Sequence, residues 1–180
     1  MYKRLGEVGQ SLGRQAGKVL SISHSDVLID VLGLQPTEVV NANYPEHNML
    51  RLGFDDNSFD VVISDQVLEH LEGDPQRAID ECYRVLKPGG LVVHTTCFIN
   101  PIHDAPGDYW RFTPQALELL HKNWSEVIEF GGWGNFDVWG LVRNHARWIG
   151  IPHAKWHPLH RIATRNDPIW PIVTWVIARK

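Results

Sequence analysis

Short β-branched runs alternate along this chain with segments whose apolar residues recur every three or four positions. Val19–Ile22, Glu38–Ala42, Val61–Ser64 and Leu91–Thr96 have the length and composition of buried strands. Residues 3–16 read as an amphipathic helix weakened by Gly6, Gly9 and Gly13, and 26–32 as a short second one. The best-marked helix follows Asp74, a residue suited to an N-cap, with Pro75 at the first position, where no amide donor is needed. Ala78, Ile79, Cys82, Val85 and Leu86 then share one face, and "KPGG" at Lys87–Gly90 stops it. Thr113-Pro114 opens another helix over 114–122. "EVIEF" reads as a strand, 136–149 as a helix and "PIVTWVIARK" as a closing strand. Strands alternating with helices imply an α/β, doubly wound, parallel sheet. In such sheets ligands sit beyond the carboxyl ends of the strands, so the residues just after each strand are the ones to read for chemistry.

Composition narrows the class. At 180 residues the chain fits a single domain (1–180). Its 17 basic and 21 acidic residues give a net charge of −4, which disfavours nucleic acid as the main partner. Cys82 and Cys97 lie in apolar patterns and cannot build a disulfide framework, so a reducing, cytoplasmic setting is expected. "MYKRLGEVGQ" has no apolar stretch of the kind a signal peptide carries. The longest apolar run, "IWPIVTWVIA", is too short for a membrane span and contains Pro171. All 8 tryptophans lie at or beyond Trp110, which points to contact-forming surface in the second half, with at least half of them expected in the core.

The stretch "LGFDDNSFDVVISDQVLEHLEGDPQRAIDECYRVLKPGGLVVHTT" (Leu52–Thr96) closely resembles the core of class I S-adenosylmethionine-dependent methyltransferases of the small-molecule and glycan type. "KVLSIS" resembles that family's first strand and "VTWVIARK" its antiparallel last strand. The resemblance implies a Rossmann-like, mostly parallel doubly wound sheet with an antiparallel last strand, and S-adenosylmethionine as cofactor. It also implies where the cofactor contacts fall. After the first strand the family resembles D-x-G-x-G-x-G; here Ser21 stands at the acid, Ser23 and Ser25 at the first two glycines, and Val27 at the third. Asn43 stands where an acid takes the ribose hydroxyls. In "NMLRLGF", Asn48 replaces the acid of the adenine loop and Gly53 its proline. Met49 and Asp65 complete the cofactor-binding set that the resemblance implies.

These replacements weaken a nucleoside site. A carboxylate accepting from a hydroxyl contributes about 1.5–3 kcal/mol per bond, against about 1 for a neutral amide. Side chains at glycine positions thicken the turn or require a positive φ that serine dislikes. Asp26 adds negative charge where the cofactor's carboxylate would lie.

Further along, "CFINPIHDAPGDYWRFTPQAL" (Cys97–Leu117) corresponds to the loop that in the family helps hold the methyl acceptor. His103 is the candidate catalytic base there, or else it caps a turn while Asp108 pairs with Arg111. His70 either faces the acceptor or packs at a helix end, and His94 reads as a core histidine. His153, His157 and His160 have a spacing that could suggest a metal, but Pro158 breaks any helix between them and no carboxylate accompanies them, so no metal is expected. Residues 143–165 read as a basic, aromatic insertion, with Arg143, Arg147, Lys155, Arg161 and Arg165 beside Trp148 and Trp156.

Three functions stay open. The first is a non-catalytic pseudo-methyltransferase subunit with a degenerate cofactor site, supporting a catalytic methyltransferase homologue or pairing with its own copy. The second is an active O-methyltransferase of a sugar or other small hydroxyl compound. The third is a binding module that uses the pocket for another ligand.

Overall fold

A computed structural model describes residues 1–13, 15–103, 107–143 and 150–180. Helix α1 (Tyr2–Ser11) precedes β1 (Ala16–Ile22), α2 (Val27–Leu32) and β2 (Gln35–Ala42). There follow β3 (Phe59–Asp65), a 3-10 turn (Leu68–His70), α3 (Pro75–Val85) and β4 (Leu86–Cys97). The chain continues through α4 (Pro114–Leu120), β5 (Glu126–Trp133), α5 (Phe136–Arg143), α6 (Pro158–Thr164) and β6 (Val173–Arg179). The six strands form one sheet in the order β2-β1-β3-β4-β6-β5. The pairs β1–β2, β1–β3 and β3–β4 are parallel, and β6 runs antiparallel to both neighbours.

Alternation along the strands sorts the core into two layers. Leu20, Val62, Val92 and Val176 pack with Ala78, Ile79 and Cys82 of α3 and Leu117 of α4. Val19, Val61, Ile63, Val93 and Ile177 face the other way, onto Leu5 and Val8 of α1 and Leu28 and Leu32 of α2. Helix α1 ends at Ser11, short of the expected residue 16. Its glycines permit close packing, since a Cβ on Gly9 would collide with the Leu32 carbonyl.

Helices α3 and α4 start where their caps predict. Asp74 accepts from the Gln76 amide at 2.9 Å and Thr113 from the Ala116 amide at 3.1 Å. Cys82 and Cys97 are free and buried. The tryptophans depart from expectation. Trp124 and Trp175 are core residues, while Trp110, Trp156 and Trp170 are exposed. Trp133 and Trp139 are half-buried, and Trp148 lies outside the described residues, as does Arg147. Among the described residues no helix is long and apolar enough to cross a membrane.

Candidate functional site

The site forms where β1, β2 and β3 end side by side. The chain leaves β1 through Ser23 and His24, both in the left-handed region (φ 52° and 61°). That is glycine's conformation held by residues with a Cβ, and two bonds hold it. The Ser23 amide donates to the Ala42 carbonyl at 3.1 Å, and the His24 amide to Asn43 Oδ1 at 3.1 Å. The turn is thus fastened to the end of β2. Its backbone keeps to one side, and a cavity of about 460 Å³ opens beside it. Ser23, Asn43, Asn48, Met49, Gln66 and His70 are among its walls.

Three of the residues expected at the cofactor do not line this cavity. Ser21 is fully buried, its hydroxyl unpartnered, on the sheet face that carries Val19. Ser25 is also fully buried and works as a bracket: its hydroxyl donates to the Ile22 carbonyl and accepts from the Asp65 amide at 2.7 Å. The Asp65 carboxylate accepts from the Tyr2 hydroxyl at 2.7 Å and from Thr95. Burial, and then that contact, raise the Tyr2 phenol above its ordinary range.

On the far side, the segment after β2 is folded back by its own side chains. Asn48 Oδ1 accepts from the Leu50 amide at 2.9 Å, and the His47 ring stacks on Phe54 at 5.2 Å. Arg84 of α3 reaches under this segment, donating to the Leu52 and Phe54 carbonyls at 2.8 and 2.7 Å and to Asp56 at 2.8 Å. Its pairing with Glu81 and Asp56 holds the guanidinium above its usual range, and Glu81 lies below the usual carboxylate range in turn.

At the other rim, the loop after β4 is laid onto the 3-10 turn. The Tyr109 and Trp110 amides donate to the Glu69 carbonyl at 2.8 and 3.1 Å, and the Trp110 indole donates to the Leu71 carbonyl at 2.8 Å. Asp108 pairs through both carboxylate oxygens with Arg111, and this pairing holds it well below the usual carboxylate range. Asp108 also accepts from the His103 amide at 3.0 Å and lies 3.1 Å from His103 Nδ1. His103 itself is not in the cavity wall. Its ring meets the His70 ring edge-on, the centroids 4.9 Å apart.

Sequence reasoning missed Glu69. This carboxylate is fully buried; Oε2 accepts from Thr96 at 2.8 Å, while Oε1 has no partner. One ligand-capable atom from each of Glu69, His70 and His103 lies within 4.8 Å of the other two. The signal was present as Glu69-His70 in the turn that follows β3, but the partner lies more than thirty residues away. Neighbouring Cys97, pushed up to about 12 by burial and then by the Glu69 charge, keeps its proton. The histidines whose spacing suggested a metal are dispersed. His153 is exposed, His157 caps α6 through the Leu159 amide at 3.2 Å, and His160 bonds the Pro152 carbonyl at 2.8 Å.

Comparison with known proteins agrees with this architecture. A family model described as "Methyltransferase domain" matches residues 5–94. A Mycolicibacterium smegmatis protein named as an S-adenosylmethionine-dependent methyltransferase is 35% identical over 127 residues, 65% of this chain and 48% of that protein. A ubiquinone biosynthesis O-methyltransferase of Coxiella burnetii is 32% identical over 158 residues, 86% of this chain and 64% of that one. The chain thus spans about half to two thirds of the length of these curated relatives.

Among solved structures, a complex of the Haloferax volcanii Trm112 methyltransferase activator with a methyltransferase superposes with a TM-score of 0.64. The identity is 14%, covering 99% of this chain and 89% of that one. The N-methyltransferase NodS of Bradyrhizobium japonicum, solved with S-adenosyl-L-homocysteine, gives 0.58 at 12% identity over 99% and 85%. At such identities these two show the fold. With the family model spanning half its length and its β1–β4 core in place, the chain belongs to the class I S-adenosylmethionine-dependent methyltransferase family.

Proposed function

We propose that this chain is an S-adenosylmethionine-dependent O-methyltransferase acting on a hydroxyl of a sugar or other small molecule, with the cofactor in the cavity beside the Ser23–His24 turn. The observation that carries this reading is the open cavity itself. Its volume of about 460 Å³ falls in the range of small-molecule sites, and the side chains at the glycine positions do not fill it.

The residues present fit an adenosyl group in an unusual polarity. Asn43 and Asn48 commit their Oδ1 atoms to the His24 and Leu50 amides, which leaves their Nδ2 groups as donors. Ribose oxygens and adenine ring nitrogens accept such bonds. Buried Met49 supplies apolar wall for a base.

When bound, the cofactor supplies a methyl group on a positively charged sulfur, open to attack by a hydroxyl oxygen. The chain's part is to hold that oxygen and remove its proton. His103 is the base in this reading. Its Nδ1 is engaged by the Pro101 carbonyl, Asp108 and Asn100 Nδ2, each at 3.1 Å, so Nε2 is left to accept the proton, and Asp108 positions the ring. The Coxiella burnetii relative, named for O-methylation, supports the acceptor class.

A subunit role beside a catalytic relative or a second copy has one observation in its favour: Trp156 and Ile169 are 79% and 78% exposed, and Ile169 adjoins the exposed Phe136–Trp170 pair in sequence.

Radiolabelled S-adenosylmethionine and a panel of phenolic and sugar hydroxyls test the proposal. Label transferred by the chain alone, and lost in His103→Ala, is the expected result. Transfer only when a catalytic homologue is added would overturn it in favour of the subunit role.

A further inference from the structure

We propose that Glu69, His70 and His103 form a binding site for one divalent transition-metal cation at the rim of the cavity. The inference rests on the cofactor-site reading only for its catalytic consequence; the metal site stands on its own geometry. Two imidazoles and one carboxylate offer ligand atoms within 4.8 Å of one another. This is the donor set of sites that hold Zn²⁺, Fe²⁺ or Co²⁺ on one face and leave positions open on the other.

The orphaned carboxylate oxygen is the second observation. Glu69 has no solvent exposure, yet Oε1 lacks a hydrogen-bond partner, whereas Oε2 is satisfied by Thr96. A buried carboxylate oxygen with no N–H or O–H donor, and only the weak Cys97 thiol against the carboxylate, is costly, and a cation removes that cost.

Both histidines are already set up as ligands. His70 directs Nδ1 at the Gly107 carbonyl. His103 places Nδ1 3.1 Å from the Pro101 carbonyl, from Asp108 and from Asn100 Nδ2, a set in which the two oxygens accept from the ring. A ring that donates its Nδ1 proton to an oxygen presents the Nε2 lone pair, and such outer partners are what orient metal-bound histidines. Glu69 is fixed in turn through its main chain by Tyr109 and Trp110, so one loop carries His103 and clamps the segment that supplies the other two ligands.

His70 belongs to the cavity wall, so a cation here can take an acceptor hydroxyl as a further ligand. The hydroxyl then ionises more readily, its proton passing to solvent. The oxygen forms its bond to the methyl carbon as the carbon–sulfur bond breaks, and the electron pair stays on sulfur. With the cation on His103, this mode replaces base catalysis by that ring.

The test is Co²⁺ titration of the chelator-treated chain, followed by visible absorption and by calorimetry. One equivalent should bind with ligand-field bands. His103→Ala and Glu69→Gln should each weaken binding at least tenfold, and Asp108→Asn by about 10–100-fold through the loss of His103 orientation. Glu69→Gln keeps the side chain's shape and His103 lies in a loop, so at least one variant reads out binding rather than folding. No stoichiometric binding, or binding that these substitutions leave unchanged, overturns the site. Methyl transfer that survives chelation with no metal bound leaves the methyltransferase reading intact and removes the cation's catalytic consequence. Stoichiometric cobalt without methyl transfer keeps the metal site and removes the methyltransferase reading.

Discussion

Asn43, the first residue past β2, takes the His24 amide on its Oδ1 at 3.1 Å and so ties the ends of β1 and β2 together across nineteen residues. The side chain at the position the resemblance assigns to ribose is therefore a structural clamp on the turn beside the cavity. Asn43→Ala should release the left-handed pair Ser23–His24, lower stability by about 1 kcal/mol and weaken S-adenosylhomocysteine binding about tenfold. Asn43→Asp keeps the acceptor for the His24 amide and should retain stability, while the loss of the Nδ2 donor should still weaken binding. Ser23→Gly removes the cost of a Cβ at φ 52° and should stabilise the fold by about 1 kcal/mol. Urea unfolding and calorimetry of the three variants read these outcomes.

Ser25 should respond in the opposite direction. Glycine belongs here by family resemblance, yet the Ser25 hydroxyl is the partner of the Asp65 amide. Ser25→Gly orphans that donor in a closed part of the structure and should cost about 1–3 kcal/mol, seen as a lower urea midpoint with an unchanged slope.

The α3 and α4 starts were legible because a cap and the proline after it are neighbours in sequence. The turn after β1 was legible for the same reason, since strand, turn and helix lie within about fifteen residues. What escaped was whatever depends on side chains meeting across the sheet. Nothing local marks Ser25 as a bracket for Asp65, or Asp65 as the acceptor for Tyr2. Glu69 and His103 meet because β4 carries the chain back to the same edge, a juxtaposition that no residue spacing encodes. Tryptophan surface in the second half was legible, but how few of these rings reach the core was not, because burial follows from packing on neighbours and not from residue type.

His94 and His121 give the fold an acid limit. Both are fully buried, their rings 5.6 Å apart, and the Nε2 atom of each has no partner. Burial depresses His121 to about 4 and, with the neighbouring His121, takes His94 well below its ordinary value. The unfolded chain therefore binds protons below about pH 6.5 that the native state refuses, so stability is full above that pH and falls as pH drops toward 4. His121 alone accounts for about 3 kcal/mol between pH 7 and pH 4. Melting temperature against pH should fall over this window, and His121→Leu should make the fall shallower.

Arg84 should couple stability to ligand binding. Its guanidinium holds the Leu52 and Phe54 carbonyls, which fixes the segment carrying Asn48 and Met49. Arg84→Met should cost about 2 kcal/mol, most of it from orphaned carbonyls, because the partly exposed ion pairs contribute little. It should also weaken cofactor binding although Arg84 does not line the cavity. A melting curve and a calorimetric titration of this variant give both numbers.

The most direct measurement is S-adenosylhomocysteine binding to the purified chain by calorimetry, paired with the same titration of Asn43→Ala. A single site with micromolar affinity in the parent, weakened in the variant, is the predicted result. No heat and no thermal shift at millimolar ligand would contradict the account.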